Sequence, residues 1–265
     1  MRLLLLSVLV LALAVSACSP KPKESPRPEP KVKPPAVSEA GVLSVGIDLD
    51  YPPFGGVDKG KQAGIDVDVA RALAADLGLD LRVVSVVPSE AASALASGSV
   101  DAVFSVSITS ATVTTMTIAG SYIADGPAFF TTADDTMTVD AIGDRAVGAQ
   151  SGSPAFWALR EALGDDVVQV YPTLREAFGV LADGKLAVVA GDALVGAYIA
   201  RDFPKIRYAG QFGAARALAV AVAKDNTTLA VAVRDSLDEL AANGTLATVR
   251  RTWVGDLPEL ELPRE

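Results

Sequence analysis

The chain has no histidine and a single cysteine, Cys18. Histidine is the side chain whose ordinary pKa lies nearest neutrality, and it serves in many zinc, iron and copper sites. Its absence removes the commonest general base and, with one cysteine, every familiar His/Cys metal-ligand spacing. One cysteine also excludes an intramolecular disulfide. Basic side chains are missing from one long region: Val83 to Asp144 holds no Lys or Arg in 62 residues. Within it "SVSITSATVTT", Ser105 to Thr115, is dense in hydroxyls and carries no charge. Whatever this region contacts, it offers no cationic side chain.

What is present narrows the field further. Half of the 265 residues are apolar, enough for one large domain or two lobes with real cores. Residues 1–36 contain six basic and two acidic side chains, leaving 17 basic and 30 acidic beyond them, so the folded part stands near −13. Such an acidic balance disfavours a nucleic-acid partner. The opening "MRLLLLSVLVLALAVSAC" has one charge, an apolar run from Leu3 to Val15 and small residues before Cys18. It reads as a secretory signal over 1–18, too short for a comfortable membrane span.

Cys18 directly follows "VSA", which resembles a bacterial lipobox. The resemblance implies cleavage before Cys18, a diacylglycerol on its thiol and anchoring by two or three acyl chains. The alternative, an ordinary cleavage site beside an incidental cysteine, leaves an exposed unpaired thiol on a secreted protein. Residues 19–38 are rich in Pro, Lys and Glu. They are expected to run extended as a semi-rigid tether.

From Gly41 short β-branched runs alternate with Ala/Leu-rich stretches: "VLSVGIDL", "GIDVDVARALAADLG", "LRVVSVV". Strand, helix, strand is an α/β unit. In the helix, Val67, Ala70, Leu73, Ala74 and Leu77 share one face, and Gly78 takes the C′ position. An internal echo follows, since "LASGSVDAV" (95–103) and "LADGKLAVV" (181–189) both read as helix end, Gly turn and apolar strand. Polar residues stand just past each strand, Ser105 and Ser107 in the first and Gly191 and Asp192 in the second. Ligands of open α/β sheets bind beyond the carboxyl ends of strands, so two such edges face to face would enclose a cleft.

Three segments in order, "LSVGIDLDYPPFGG" with the helix after it, "LASGSVDAVFSVSIT", and "AVAVAKDNTTL" with "LDELAANGTLATVRRTWVG", resemble the bacterial extracellular solute-binding proteins of family 3. These are periplasmic binding proteins of polar amino-acid ABC importers. The resemblance spans roughly Gly41 to Gly255 and implies a type II, two-lobed Venus-flytrap α/β fold. Lobe 1 is expected over 39–128 and 216–256 and lobe 2 over 129–215, with a tail at 257–265. The crossings then fall near Pro127 to Thr131 and Ala214 to Leu218. A small polar solute would bind between closing lobes, and a permease would receive the closed form. The implied protein is an extracytoplasmic, lipid-anchored monomer that is no enzyme and needs no cofactor or metal. A sensor or accessory lipoprotein is the alternative, and a dehydratase-like enzyme on the same fold a more remote one.

By the same resemblance the ring of Tyr51 or Phe54 in "DYPPF" covers the ligand, and Asp48 faces a cationic ligand group or caps a turn. Ser105 and Ser107 offer hydroxyl and backbone groups. Asp192 takes the ligand's ammonium, caps the following helix, or does both. Ser151 and Ser153 lie where helix-start groups meet the ligand's carboxylate. Two departures stand out. Thr112 occupies the position of the family's carboxylate-gripping Arg. Pro154 has no N–H to give, so Ser153 is expected as N-cap with Pro154 at N1. The expected ligand is therefore cationic or neutral without a free carboxylate, with Trp157 as a further ring against the cation. The rival expectation is that hydroxyls of Ser105, Ser107, Thr109 and Thr112 hold a carboxylate more weakly; another is that binding has decayed.

Overall fold

The structure is a computed structural model that describes residues 29–263. The signal, Cys18 and the tether as far as residue 28 lie outside the described residues. In chain order β1 (Val42–Ile47) leads to a hairpin, β2 (Gly56–Asp58) and β3 (Lys61–Ala63). Next come α1 (Ile65–Asp76), β4 (Asp80–Ser85), α2 (Ala91–Ala96), β5 (Ala102–Ser107), α3 (Ser110–Thr115) and β6 (Met116–Asp125). The chain then builds β7 (Pro127–Thr131), α4 (Val139–Ile142), β8 (Val147–Gln150), α5 (Pro154–Leu163), β9 (Val168–Tyr171), α6 (Leu174–Ala182), β10 (Val188–Asp192), α7 (Ala193–Ala200) and β11 (Arg207–Gln211). It returns through β12 (Arg216–Ala223), α8 (Thr227–Ala242) and α9 (Thr245–Val254).

Two five-stranded sheets result, ordered β4-β1-β5-β12-β6 and β11-β7-β10-β8-β9. Each is the core of one lobe. The echo seen in the sequence occupies the same place twice: β5 and β10 are the middle strands of their sheets, each reached through a turn glycine at positive φ, Gly98 and Gly184. Each pairs in parallel with an earlier strand, β1 or β8, and antiparallel with a strand at a crossing, β12 or β7. Apolar runs fill both faces of the middle strands, so their side chains are buried throughout and only their carboxyl ends reach the cleft.

Helix α1 turns Val67, Ala70, Leu73 and Ala74 inward, each at most 1 % exposed, and Gly78 at φ 70° ends it in the left-handed conformation glycine tolerates. The lobes join where β6 hands over to β7 at Gly126 and where 212–215 lead into β12. A Cβ on Gly126 would lie 2.8 Å from Ala215 Cα, so the two crossings touch and the hinge has no room for a side chain there. Two further ties span the lobes. The Trp253 indole of α9 donates to Asp68 at 2.8 Å while the Trp253 backbone carbonyl accepts from Arg201, just past the end of α7, at 3.1 Å. The tail pairs Glu261 with Gln211 through two hydrogen bonds of 2.9 Å.

Residues 29–38 depart from a free tether. Val32, Ala36 and Val37 are buried, the Lys31 amide donates to Leu77 O at 2.9 Å, and Ser38 donates to Asp101 from both its amide and its hydroxyl at 2.7 Å. Three apolar side chains in an otherwise polar segment are enough to dock its end on the first lobe.

Candidate functional site

The carboxyl ends of β5 and β10 each open on a chamber, and the Tyr51 ring lines both. Tyr51 sits on the loop after β1, stacked on Phe54 with ring centroids 5.6 Å apart and planes 5° off parallel. Phe54 is buried and supports Tyr51, which is 43 % exposed and reaches the gap between lobes. Burial pushes the Tyr51 phenol up to about 12, and the negative charges of Asp192 and Asp125 act in the same direction. It stays a neutral hydroxyl at any physiological pH.

On the first lobe the chamber measures about 330 Å³ and is bordered by Asp48, Ser105, Ser107, Thr109 and Thr112. Asp48 accepts from the Asp50 amide at 3.0 Å, an Asx turn that holds the Tyr51 loop, and its carboxylate still lines the chamber. Ser105, expected at the ligand, is turned inward. Its φ of 55° is a strained value for a residue with a Cβ, and its hydroxyl donates to Asp66 Oδ2 at 2.7 Å. Tyr122 of β6 donates to Asp66 Oδ1 at 2.6 Å and accepts from the Ser105 amide at 3.1 Å. This closed network holds the strained turn in place. Burial pushes the Asp66 carboxyl up to about 7, against the pull of the two hydroxyls, with Asp48 adding to the rise.

The bare stretch is bare for a local reason as well. Thr109 is the N-cap of α3 and forms a capping box with Thr112. Thr112 Oγ1 accepts from the Thr109 amide at 2.8 Å and has Ser107 O at 2.9 Å as an acceptor. The residue that replaces the expected guanidinium spends its hydroxyl on its own turn.

On the second lobe a chamber of about 250 Å³ is lined by Gln150, Ser151, Gly152, Ser153, Pro154 and Asp192, among others. Ser153 caps α5, accepting from the Phe156 amide at 3.1 Å with Pro154 following, and the Ser153 amide is committed to Gln150 O at 3.2 Å. Asp192 does not cap α7. The first amides of that helix go elsewhere: Ala193 N to Gly126 O at 2.8 Å and Leu194 N to Asp125 Oδ1 at 3.0 Å, with Gly126 N on the same oxygen at 2.9 Å. Asp125, 1 % exposed at the hinge, takes over the duty. Asp192 is 5 % exposed, and among the described residues its Oδ1 is the buried side-chain oxygen without a hydrogen-bond partner. Burial and the neighbouring Asp125 push its carboxyl up to about 7, while Arg216 pulls the other way. Arg216 lies opposite Asp125 in the β12–β6 register, its guanidinium 4.0 Å from Asp125 Oδ2.

The structure thus brings Asp48, Tyr51, Phe54, Ser105, Ser107, Thr112, Ser151, Ser153 and Asp192 to the two chambers. Trp157 is not among them: it is 56 % exposed on the outer side of α5, under Arg160 at 5.2 Å. Asp66, Tyr122, Asp125 and Arg216 are the participants the sequence reading missed. Asp66 looked like an acid in a first helical turn, and nothing local connects it to Ser105 and Tyr122, 39 and 56 residues away.

The profile of the bacterial extracellular solute-binding proteins, family 3, matches residues 43–256. The chain belongs to this family. No curated protein matches it. Among solved structures, an ancestral cationic amino acid solute binding protein shares 26 % identity at a TM-score of 0.73, covering 81 % of this chain and 96 % of its own. The L-cystine solute receptor of Neisseria gonorrhoeae in the unliganded open conformation gives 21 % and 0.72, covering 83 % and 95 %. A polar amino acid ABC uptake transporter substrate binding protein from Streptococcus thermophilus gives 20 % and 0.73, covering 83 % and 88 %. The fold is a type II periplasmic binding protein, and the function class of this family member is solute binding of the amino-acid-binding type. No helix among the described residues is long and apolar enough to cross a membrane, and none of their His, Cys, Asp and Glu form a group of three or more that would hold a metal.

Proposed function

We propose that this family member is the lipid-anchored, extracytoplasmic receptor of an ABC importer, a monomer that closes its lobes over a small polar solute and presents it to the permease. The solute is amino-acid-like or a cationic amine, and its ammonium meets Asp192. One observation carries the reading: a buried carboxylate aimed at the cleft with an oxygen left without a donor. Leaving such a group unpaired is costly, and an ammonium entering on closure supplies both the missing donor and the opposite charge. Tyr51 covers the solute from the side, its ring face available to the cation. Recognition is all the site is asked for, and no bond need be made or broken.

The test is a thermal-shift screen of the purified protein against amino acids, amines, quaternary ammonium compounds and sugars. A ligand at a hundred times its Kd adds about 2.7 kcal/mol of stability. A nitrogen cation should raise the melting temperature of the wild type and leave Asp192→Asn unmoved. A response restricted to sugars, or one that survives Asp192→Asn, removes the reading. The anchor is checked separately: Cys18→Ser should stay folded and leave the detergent phase for the aqueous one.

A further inference from the structure

The larger of the two chambers is on the wrong side for Asp192. It lies in the first lobe, about 330 Å³, and joins the Asp192 chamber past Tyr51, which lines both. Several of its polar groups are already engaged. Ser105 is bonded to Asp66, Thr112 to the Ser107 carbonyl and the Thr109 amide, and Asp48 to the Asp50 amide. Apart from Gly46 and Ser107, the remaining wall is apolar: Phe54 and Phe104 with Val86, Pro88, Ala91, Val103, Val106 and Met116. Val86, Ala91, Val103, Val106 and Met116 also belong to a small hydrophobic cluster of their own beside this end of the sheet.

Charge decides what such a space can hold. Among the described residues no Lys or Arg lines either chamber, and two carboxyls, Asp48 and Asp66, border the larger one. Arg216, opposite Asp125 in the β12–β6 register, lines neither chamber. A carboxylate placed here would meet the acids Asp48 and Asp66 and no cationic donor, whereas hydrocarbon would leave water for an apolar wall. Thr112 matters again, since a guanidinium at that position would have occupied the chamber and charged it.

We propose that this chamber is an apolar subsite, and that the solute is an amine with an alkyl or aromatic body and no carboxylate. The ammonium sits on Asp192 and the body passes Tyr51 into the first lobe. The inference rests on the reading of Asp192 as the ammonium partner. It adds what the far side of the cleft selects.

The experiment is titration calorimetry of the full protein with n-alkylamines from ethylamine to hexylamine, with ethanolamine beside propylamine, and with phenethylamine beside phenylalanine. Affinity should rise about fourfold per methylene until the chamber is full, the worth of one buried methylene. Propylamine should exceed ethanolamine, and phenethylamine should exceed phenylalanine, which differs from it by the carboxylate alone. Ala91→Leu should flatten the alkyl series while leaving ethylamine binding unchanged. If that variant folds poorly, Val86→Thr, which keeps the shape and adds a hydroxyl, should weaken hexylamine several-fold and ethylamine hardly at all. An alkyl series that binds through Asp192 but is flat in chain length overturns the subsite and spares the ammonium reading. Phenylalanine binding more tightly than phenethylamine overturns the subsite too, and loss of that advantage in Arg216→Gln would place the carboxylate at the hinge. If no amine binds at all, both readings fall.

Discussion

The first lobe and the second each bury an aspartate at the cleft, and burial raises both carboxyls to about 7. Their surroundings differ. Asp66 has a hydroxyl on each oxygen, from Ser105 and Tyr122, and holds a strained turn together. Asp192 has an oxygen with no donor among the described residues, because the helix amides beside it are taken by Asp125 and by the Gly126 carbonyl. The same residue type, pushed up by burial in both lobes, is therefore structural in one and without a donor in the other among the described residues. A perturbed acid is a pointer to function only when its hydrogen-bond ledger is also open.

The largest expected break in this contrast is Asp66→Ala. It takes the shared acceptor from the half-buried Ser105 and buried Tyr122 hydroxyls, which retain a 3.2 Å contact with each other, and it releases the strained Ser105 backbone; unsatisfied groups of this kind cost about 1–3 kcal/mol each. Urea unfolding should show a loss of about 4 kcal/mol. Asp192→Asn should do the opposite: unchanged or slightly raised apo stability, because an amide never has to carry charge in the buried site, and about a 100-fold loss of amine affinity by calorimetry. Equal destabilisation by the two substitutions would erase the distinction.

Asp125→Ala tests the reason Asp192 is vacant. Losing a helix cap costs about 1–2 kcal/mol. The stranded Leu194 amide of α7 should then recruit the Asp192 carboxylate, so amine affinity should fall as well, by about tenfold if that helix bond is worth roughly 1.4 kcal/mol. Asp125→Asn, which keeps an oxygen for the amides, should restore most of it. An Asp125→Ala protein that is less stable but binds amine as the wild type does would mean that Asp125 is a cap and nothing more.

The smallest effect is protonic. Between pH 3.8 and about 7 both aspartates hold protons in the folded chain that the unfolded chain has lost. Unfolding releases those protons, so apo stability should fall as pH rises through that window. An ammonium on Asp192 favours its ionised form. Amine binding at pH 6 should therefore release close to one proton, measured by calorimetry in two buffers of different ionisation enthalpy. Asp192→Asn should abolish that release while the Asp66 part of the stability slope persists.

What the sequence by itself determined were features whose causes lie within a few residues. The apolar face of α1 and its Gly78 stop, the Ser153 cap with Pro154 after it, and the twice-built turn before β5 and β10 follow from side-chain period, backbone freedom and local capping. The placing of Asp192 at a strand–helix junction was legible for the same reason, yet its role was not, since cap and ligand partner look alike there. Only the tertiary structure decided between them, by bringing Asp125 to the amides of α7 from 69 residues away. It also turned Ser105 onto Asp66 by placing β5 and β6 on either side of β12, and it drew Val32, Ala36 and Val37 out of a Pro-rich segment onto the first lobe. In each case the partner lies far away in sequence, and the tertiary arrangement, which no local pattern carries, brought it within reach.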